Sequence, residues 1–234
     1  MSIYSLTPLA NQNGGVQAIE EATRQMWGLV PWVIGFGALS LLFTVLSRAL
    51  LPKLKGDVGE WVVNRSLLSH LPREEYQVIP DLLLPDGKGG YTQIDHVVIS
   101  RFGLFVIETK NWSGWVFGGE KDPYWTLSYP GRRKVRVLNP LHQNALHVRV
   151  IRELLQMPPQ HCHNLVFINS AAKLKKGPVE GVFQQGLTAY IRLYKDSVFS
   201  SEWVHNSVSQ LQSACQSKNA QARAAHLRQV KEKK

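Results

Sequence analysis

A charge-free segment near the N-terminus restricts the chain most strongly. Residues Trp27 to Ser47, WGLVPWVIGFGALSLLFTVLS, contain no charged side chain. A helix of this length spans roughly 31 Å, close to the ~30 Å hydrocarbon core of a bilayer. Arg24 and Arg48 bracket the segment, and Trp27 and Trp32 lie near one end, where interfacial aromatic residues are common. We predict a transmembrane helix; a buried core helix and a cleaved signal peptide are the alternatives.

The basic residues around this segment predict its orientation. Arg48, Lys53 and Lys55 follow it, whereas Arg24 and two acids precede it. Lysine and arginine accumulate on the cytoplasmic side of a membrane helix. We therefore expect a single-pass inner-membrane protein whose C-terminal domain faces the cytoplasm. The two cysteines are far apart and suggest no disulfide framework, which fits a reducing compartment.

The pattern of apolar runs, caps and turns predicts five regions. These are a leader at 1–26, the membrane anchor at 27–47, a folded core at 55–160, a strand and helix extension at 161–217, and a basic tail at 218–234. Asn139 with Pro140 predicts a helix start. Residues 186–191, GLTAYI, suggest a short strand. The element order, helix, antiparallel strands, helix, strand, helix, indicates an α/β or α+β fold with a mixed sheet.

Two apolar runs, HVVI and LFVI, flank the polar break SRFG and predict a β-hairpin. A four-residue loop joining Ile99 to Leu104 sets a register in which Asp95 lies opposite Glu108. Side chains two apart on a strand share a face, so Lys110 lies on the same side as Glu108. We predict a cluster of two carboxylates and an ammonium at one strand end.

Such a cluster favours phosphate chemistry. Directly opposed carboxylates repel each other, and a raised pKa or a bound cation relieves the repulsion. Mg²⁺ commonly uses one or two carboxylates plus phosphate oxygens. A lysine beside it can orient or deprotonate water, or neutralise charge on phosphate. From spacing alone the alternative is a pair of solvated strand ends with Lys110 as their salt-bridge partner, because a one-residue slip would separate the acids.

The segment IDHVVISRFGLFVIETKNWSG resembles the core of the NERD (nuclease-related) domain, part of the PD-(D/E)xK nuclease superfamily. Asp95 followed by the Glu108-x-Lys110 triplet matches the superfamily pattern, although Ile94 stands where the superfamily name has proline. GDVGE resembles the Gly-x-x-Gly-Glu helix with which NERD domains open, and NPLHQ resembles their Asn-Pro-x-x-Gln helix start. The likeness covers about residues 56–155, with the elements in the same order.

This resemblance implies a restriction-endonuclease-like fold, with a mixed central sheet flanked by helices, and phosphodiester hydrolysis. Asp95 and Glu108 would hold Mg²⁺ or Mn²⁺, with Glu60 approaching from its helix directly or through water. Lys110 would act on the water, and Gln143 would complete the pocket. The alternatives are a helix-dipole role for Glu60 and a solvated helix position for Gln143.

The net charge of +10 favours polyanionic partners, either nucleic acid or an anionic membrane surface. His147 follows Gln143 by four residues on the same helical face and could contact phosphate, although surface or packing roles are the alternative. Other basic residues could bind phosphate backbones without reading sequence, with a solvated face or anionic lipid as the alternative: Arg132, Arg133, Lys134 and Arg136.

These features predict a membrane-anchored, metal-dependent nuclease that acts on nucleic acid, DNA rather than RNA by the resemblance. The alternatives are a nucleic-acid- or partner-binding module without turnover, and a membrane-surface scaffold. HCH at 161–163 lacks the separated ligand pairs of a closed zinc site. No G-x-S-x-G motif accompanies Asp95 and His96, which disfavours a serine triad. Endo- or exonuclease action and oligomeric state stay open.

Overall fold

The computed structural model describes residues 13–216 and 219–232, and it divides into two units between Leu54 and Lys55. The helices are α1 Asn13–His70, α2 Pro140–Leu155, α3 Leu187–Ile191, α4 Ser201–Ala214 and α5 Ala220–Glu232, with a short 3₁₀ helix at Pro159–His161. The strands are β1 Tyr76–Pro85, β2 Tyr91–Ser100, β3 Gly103–Lys110, β4 Gly114–Phe117, β5 Tyr124–Ser128, β6 Val135–Leu138, β7 Cys162–Ile168, β8 Ala172–Leu174 and β9 Val182–Phe183.

The first unit contains the N-terminal part of α1. Within it, Ile19–Ser47 is a helix of 29 residues that is long and apolar enough to cross a membrane. Its large side chains are exposed, with Trp27 at 72%, Trp32 at 78% and Phe36 at 77%. A core helix would bury these residues, so the helix is a candidate membrane span or signal sequence. The predicted leader at 1–26 lies partly outside the described residues.

The second unit is built on a five-stranded mixed sheet with strand order β1-β2-β3-β7-β9. β1 and β2 are antiparallel, as are β2 and β3, whereas β3, β7 and β9 run parallel to one another. The parallel strands bring the C-terminal end of β3 beside that of β7, with Lys110 paired to Ile168. The predicted mixed sheet is confirmed.

The β2–β3 hairpin has the predicted register, in which Ile99 pairs with Leu104. Ser100 also pairs with Gly103, so the loop contains two residues and the prediction of four was wrong. Ser100 Oγ accepts the amide hydrogen of Phe102 at 3.2 Å and donates to the Gly103 carbonyl at 3.0 Å. This side chain closes the tighter turn without changing the register.

Helices cover both faces of the five-stranded sheet because its central strands are apolar on both sides. On one face, Val106 of β3 shares a core with Ile151 of α2 and with residues of α4. On the other face, Phe105 shares a core with Leu67 of α1 and Ile191 of α3. The successive residues of β3 therefore alternate between two cores, as strand geometry requires.

A second, four-stranded sheet has the order β6-β5-β4-β8. One of its faces is buried: Trp125, Leu127 and Val116 share a core with Val166 and Ile168 of β7. The sequence predicted antiparallel strands but did not divide them between two sheets. The alternation of buried and more exposed residues along β5 leaves this sheet one face for core packing.

Asn139 fixes the start of α2. Its Oδ1 accepts the amide hydrogen of Leu141 at 2.9 Å, which confirms the predicted N-cap. Its Nδ2 donates to the carbonyls of Glu120 and Asp122, each at 2.8 Å, in the turn between β4 and β5. This buried side chain therefore ties the second sheet to the helix that contains Gln143.

Residues 187–191 form helix α3, so the strand predicted for residues 186–191 was wrong. Gly186 adopts a positive φ of 75° before α3. Leu187 and Ile191, four residues apart, are both buried in the core beneath α1. Residues four apart lie on the same side of a helix, and they also lie on the same face of a strand. The spacing of these two apolar residues therefore does not distinguish a helix from a strand.

Candidate active site

Asp95 and Glu108 lie where the β2–β3 ladder ends. The last pair of that ladder is His96 with Ile107, and Asp95 comes one residue before it on β2. Asp95 Oδ2 accepts the amide hydrogen of Thr109 at 2.7 Å, which holds this carboxylate against the β3 backbone. Both acids line the same pocket. The structure therefore brings together the two carboxylates that the register predicted.

Lys110 and Gln143 surround one oxygen of Glu108. Lys110 Nζ lies 2.5 Å from Glu108 Oε1 and donates to Gln143 Oε1 at 3.0 Å. Gln143 Nε2 donates to the same Glu108 oxygen at 2.8 Å. The amide thus bridges the two members of a charged pair. Gln143 is half-buried in this network, and its place in the pocket is the one that the resemblance implied.

His147 contacts the other oxygen of Glu108. Its Nε2 lies 3.2 Å from Glu108 Oε2, and its Nδ1 shares a hydrogen bond of 2.8 Å with Thr92 Oγ1. The ring is only 5% exposed, so a role on the open surface is excluded. The sequence offered His147 as a phosphate contact, and the structure places it in the pocket wall, between Glu108 and β2.

Glu60 of α1 lines the same pocket as the two strand acids. His96, on the face of β2 opposite to Asp95, forms a hydrogen bond with the backbone of Glu60. Burial lowers the pKa of His96 to about 4, so its ring is neutral at physiological pH. His96 therefore holds the helix that carries Glu60, a positioning contact that the sequence did not suggest.

The pocket has a volume of about 430 Å³ and is open to solvent. Its floor contains the polar cluster of Asp95, Glu108 and Gln143, and part of its wall is apolar, with Leu138 and Leu146. This size lies within the range of small-ligand sites. A group the size of a nucleotide phosphate and sugar can therefore reach the charged cluster.

Helix α5, within the predicted basic tail, forms another wall through His226, Gln229 and Val230. His226 Nδ1 lies 2.9 Å from the Tyr91 carbonyl, and Gln229 Oε1 accepts the Tyr91 amide hydrogen at 3.2 Å. Arg223 adds an ion pair with Asp81 of β1 at 2.6 Å. The sequence gave only a compositional description of this segment, because nothing in its pattern identifies β2 as its partner.

The two strand acids have opposite electrostatic environments. Burial raises the pKa of Asp95 well above its usual range, and the negative charges of Glu108 and Glu60 raise it further. Burial would also raise the pKa of Glu108, but the Lys110 ammonium and the nearby His147 outweigh it and lower that pKa. Glu108 is therefore the compensated carboxylate, whereas the Thr109 hydrogen bond and the Lys110 charge do not offset the burial of Asp95 and its acidic neighbours.

This chain is similar to a known protein family and to a known protein. Residues 55–169 match the nuclease-related domain, NERD. The chain is also 35% identical over 162 residues to an uncharacterized protein of Bacillus anthracis, an alignment that covers 66% of this chain and 74% of that protein. The chain belongs to the NERD family. No solved structure matches it.

The NERD match contains the strand acids, Lys110, Glu60 and Gln143, which all lie between residues 55 and 169. It ends at the close of β7, so helices α3, α4 and α5 lie beyond it. The family supports a nuclease-related function and an interaction with nucleic acid. The α5 wall of the pocket lies outside the matched NERD region.

The donor set can be tested against the divalent cation that the resemblance implies. Among the described residues, no group of three or more His, Cys, Asp and Glu side chains is arranged to hold a metal ion. Mg²⁺, however, commonly binds through one or two carboxylates and completes its shell with water and phosphate oxygens. The uncompensated charge around Asp95 favours such a cation. The NERD site therefore fits an open, two-carboxylate metal site and not a closed protein cage.

Replacing Asp95 with asparagine should stabilise the metal-free protein at pH 8. A folded-state pKa raised above its unfolded value makes stability fall as pH rises through the interval between them, because the folded state binds more protons there. Asparagine does not titrate, so the variant lacks this loss of stability at high pH. Its side-chain oxygen can still accept the Thr109 amide hydrogen. We expect the melting temperature in EDTA to rise by roughly 2–4 °C, equivalent to about 1 kcal/mol.

This difference should shrink as the pH is lowered toward the usual range of an aspartate. Thermal melts of wild type and Asp95→Asn at several pH values test this prediction. Glu108 contributes to the pH dependence of stability in both proteins, so the difference between them reports Asp95. Adding Mg²⁺ should raise the melting temperature of wild type but not of the variant. A variant less stable than wild type at pH 8 would contradict the uncompensated charge of Asp95.

The predicted phosphate-binding residues of the basic stretch lie on the second sheet. Arg132, Arg133 and Lys134 are exposed in the turn between β5 and β6. Arg136 is exposed on β6, with its guanidinium carbon 4.1 Å from the centre of the Tyr124 ring. None of these four residues is part of the lining of the NERD pocket, which contains Leu138 at the end of the same strand as Arg136.

Proposed function

We propose that this NERD protein is a metal-dependent nuclease that hydrolyses phosphodiester bonds. One observation supports it most: in an open pocket, the Lys110 ammonium is held by Glu108 and Gln143, with the carboxylate of Asp95 nearby. A cation-binding donor set and a fixed positive charge are the two components that phosphoryl transfer requires. DNA as the substrate rests on the family resemblance.

In this mechanism Asp95 and Glu108 would hold Mg²⁺ or Mn²⁺, with Glu60 approaching from α1. A divalent cation supplies Lewis acid chemistry at the phosphate and favours ionisation of water. Lys110, oriented by Gln143, neutralises negative charge on the phosphate oxygens as it develops. The oxygen of a water molecule bonds to phosphorus and gives up one proton, the bond from phosphorus to the leaving nucleotide oxygen breaks, and that oxygen takes up a proton.

Cleavage assays of the full-length chain in detergent test this function. Linear, nicked and supercoiled DNA and RNA are incubated with Mg²⁺, Mn²⁺ or EDTA. We expect cleavage only with metal, and a loss of about 100-fold in Lys110→Met, the range for removing one group that stabilises developing charge. Lys88→Met makes the same change at an exposed turn and should cleave like wild type. Cleavage in EDTA, or full activity of Lys110→Met, would refute the mechanism.

The second candidate is a nucleic-acid-binding module without turnover. It is favoured by the closed network at Glu108, whose Oε1 receives hydrogen bonds from Lys110 and Gln143 and whose Oε2 faces His147. Such a network satisfies this carboxylate without a cation. Metal-independent binding of nucleic acid, with no cleavage under any of the conditions above, would select this candidate.

We further propose that the apolar helix Ile19–Ser47 anchors the protein in the inner membrane, with the NERD domain in the cytoplasm. The length and exposure of the helix support the anchor, and Arg48, Lys53 and Lys55 after it support the orientation. Protease treatment of spheroplasts tests both. Digestion of the NERD domain in intact spheroplasts would show that the domain faces away from the cytoplasm. Recovery of the protein in the soluble fraction would refute the anchor.

A further inference from the structure

The outward face of the second sheet presents aromatic and basic side chains together. Trp115 of β4 and Tyr124 of β5 lie on the face opposite to the buried Trp125, and each is 47% exposed. The register pairs Trp115 with Lys173 of β8. We name this face the platform, defined by Trp115, Tyr124, Arg136, Lys173 and Lys175.

The platform repeats one local arrangement at two places. Arg136 lies over the ring of Tyr124, with its guanidinium carbon 4.1 Å from the ring centre. Lys175 lies over Trp115, with Nζ 4.9 Å from the ring centre. Each exposed aromatic ring is thus accompanied by a cation, the combination with which proteins bind a base and its phosphate together.

The charge of the platform fits a polyanion. Its four strands, GWVF, YWTLS, VRVL and AKL, contain no aspartate or glutamate. The turn at one end adds three exposed cations, Arg132, Arg133 and Lys134. The β4–β5 turn contains exposed Glu120 and Lys121, which balance each other in charge, and Asp122, which is paired with Lys176 at 2.7 Å.

The platform is continuous with the candidate active site. Leu138 of β6 pairs with Tyr124 in the sheet register, so the two side chains lie side by side on the outward face. Leu138 is 47% exposed and also lines the pocket that contains Asp95 and Glu108. A strand that contacts Tyr124 therefore lies next to the mouth of the pocket.

We propose that the platform binds single-stranded nucleic acid and directs it to the pocket. Bases stack on Trp115 and Tyr124, and the phosphates contact the surrounding lysines and arginines. A duplex keeps its bases stacked inside, so exposed aromatic rings favour an unpaired strand. The delivery of the strand for cleavage rests on the proposed nuclease function, whereas the binding does not.

Binding by the full-length chain in detergent tests the platform separately from cleavage. Fluorescence anisotropy in EDTA compares a labelled single-stranded DNA oligonucleotide with the matching duplex. We expect Trp115→Ala and Tyr124→Ala each to weaken single-strand binding at least about fivefold, the lower end of a lost stacking contact. Duplex binding should change less than about twofold. Arg136→Gln keeps both aromatic rings. It should lower the slope of log affinity against log salt concentration by about 1, the effect of losing one phosphate contact.

Trp61→Ala is the matched control, because Trp61 is 59% exposed on α1 and Arg65 lies 5.4 Å from its ring centre. It should bind both oligonucleotides like wild type. Equal single-strand affinity of Trp115→Ala, Tyr124→Ala and wild type would overturn the platform even if cleavage occurs. If Trp115→Ala and Tyr124→Ala lose binding to anionic phosphatidylglycerol vesicles while their oligonucleotide binding is unchanged, the platform binds lipid and not nucleic acid. Retained single-strand binding without any cleavage would refute the nuclease and leave the platform intact.

Discussion

Replacing Glu108 with glutamine should reduce metal-dependent cleavage by about 1,000-fold, equivalent to ~4 kcal/mol in the activation barrier. Glutamine keeps the volume of the side chain but removes the charge that faces Lys110 and His147. In the proposed mechanism it also removes one of two cation ligands and leaves Lys110 without its carboxylate partner. Single-turnover cleavage of DNA in Mg²⁺ measures this loss.

Glu153→Gln is the matched control for this substitution. Glu153 is an acid on α2 whose side chain is 66% exposed and whose contact with Arg149 of the same helix spans 3.8 Å. Exposed pairs of this kind contribute little, so its cleavage rate should stay within about twofold of wild type. Circular dichroism verifies that both variants are folded. A Glu108→Gln rate within tenfold of wild type would exclude Glu108 from the chemistry.

Replacing Trp125 with alanine should lower the free energy of unfolding by about 3–5 kcal/mol, the range for deleting a large buried aromatic side chain. Trp125 is fully buried and donates its Nε1 hydrogen to the Gly119 carbonyl at 3.0 Å. Its indole also lies directly on Gly118, where an added Cβ would fall 2.1 Å from Trp125 Cγ. Truncation leaves a cavity between the second sheet and β7.

Urea unfolding followed by circular dichroism measures this loss. Trp61→Ala removes the same side chain from an exposed position and should change the free energy of unfolding by less than about 0.5 kcal/mol. Trp125→Phe keeps part of the volume and should lie between alanine and wild type. A loss below ~1 kcal/mol in Trp125→Ala would show that the second sheet is not held by this core.

The parts that the sequence predicted correctly depend on local patterns. The register of β2 and β3 follows from two adjacent apolar runs and a short break, so the proximity of Asp95 and Glu108 could be inferred. The start of α2 follows from Asn139 and Pro140, and it positions Gln143 against Lys110. These features need only neighbours in sequence and a regular geometry.

The parts that the sequence missed depend on distant contacts. His147 bonds to Thr92 across 55 residues, and His226 bonds to the Tyr91 carbonyl across 135 residues. No periodicity in either segment specifies such partners. The division into two sheets was missed for a related reason, because strands of four or five residues do not indicate which neighbour they pair with.

Helix α5 should exchange its amide hydrogens much faster than α2. Of its described side chains only Ala222 is buried, and Leu227 is 60% exposed. The ion pair of Arg223 with Asp81 is half-exposed and adds little to stability. Segments with few buried apolar contacts open locally, at free energies well below that of global unfolding.

Hydrogen exchange followed by mass spectrometry measures the relative exchange rates of α5 and α2. Equal protection of the two helices would contradict this prediction. Since α5 contributes His226, Gln229 and Val230 to the pocket, its opening removes one wall while the sheet that holds Asp95 and Glu108 stays intact. Ionic strength and temperature should therefore change access to the charged cluster under conditions in which the protein as a whole shows no sign of melting.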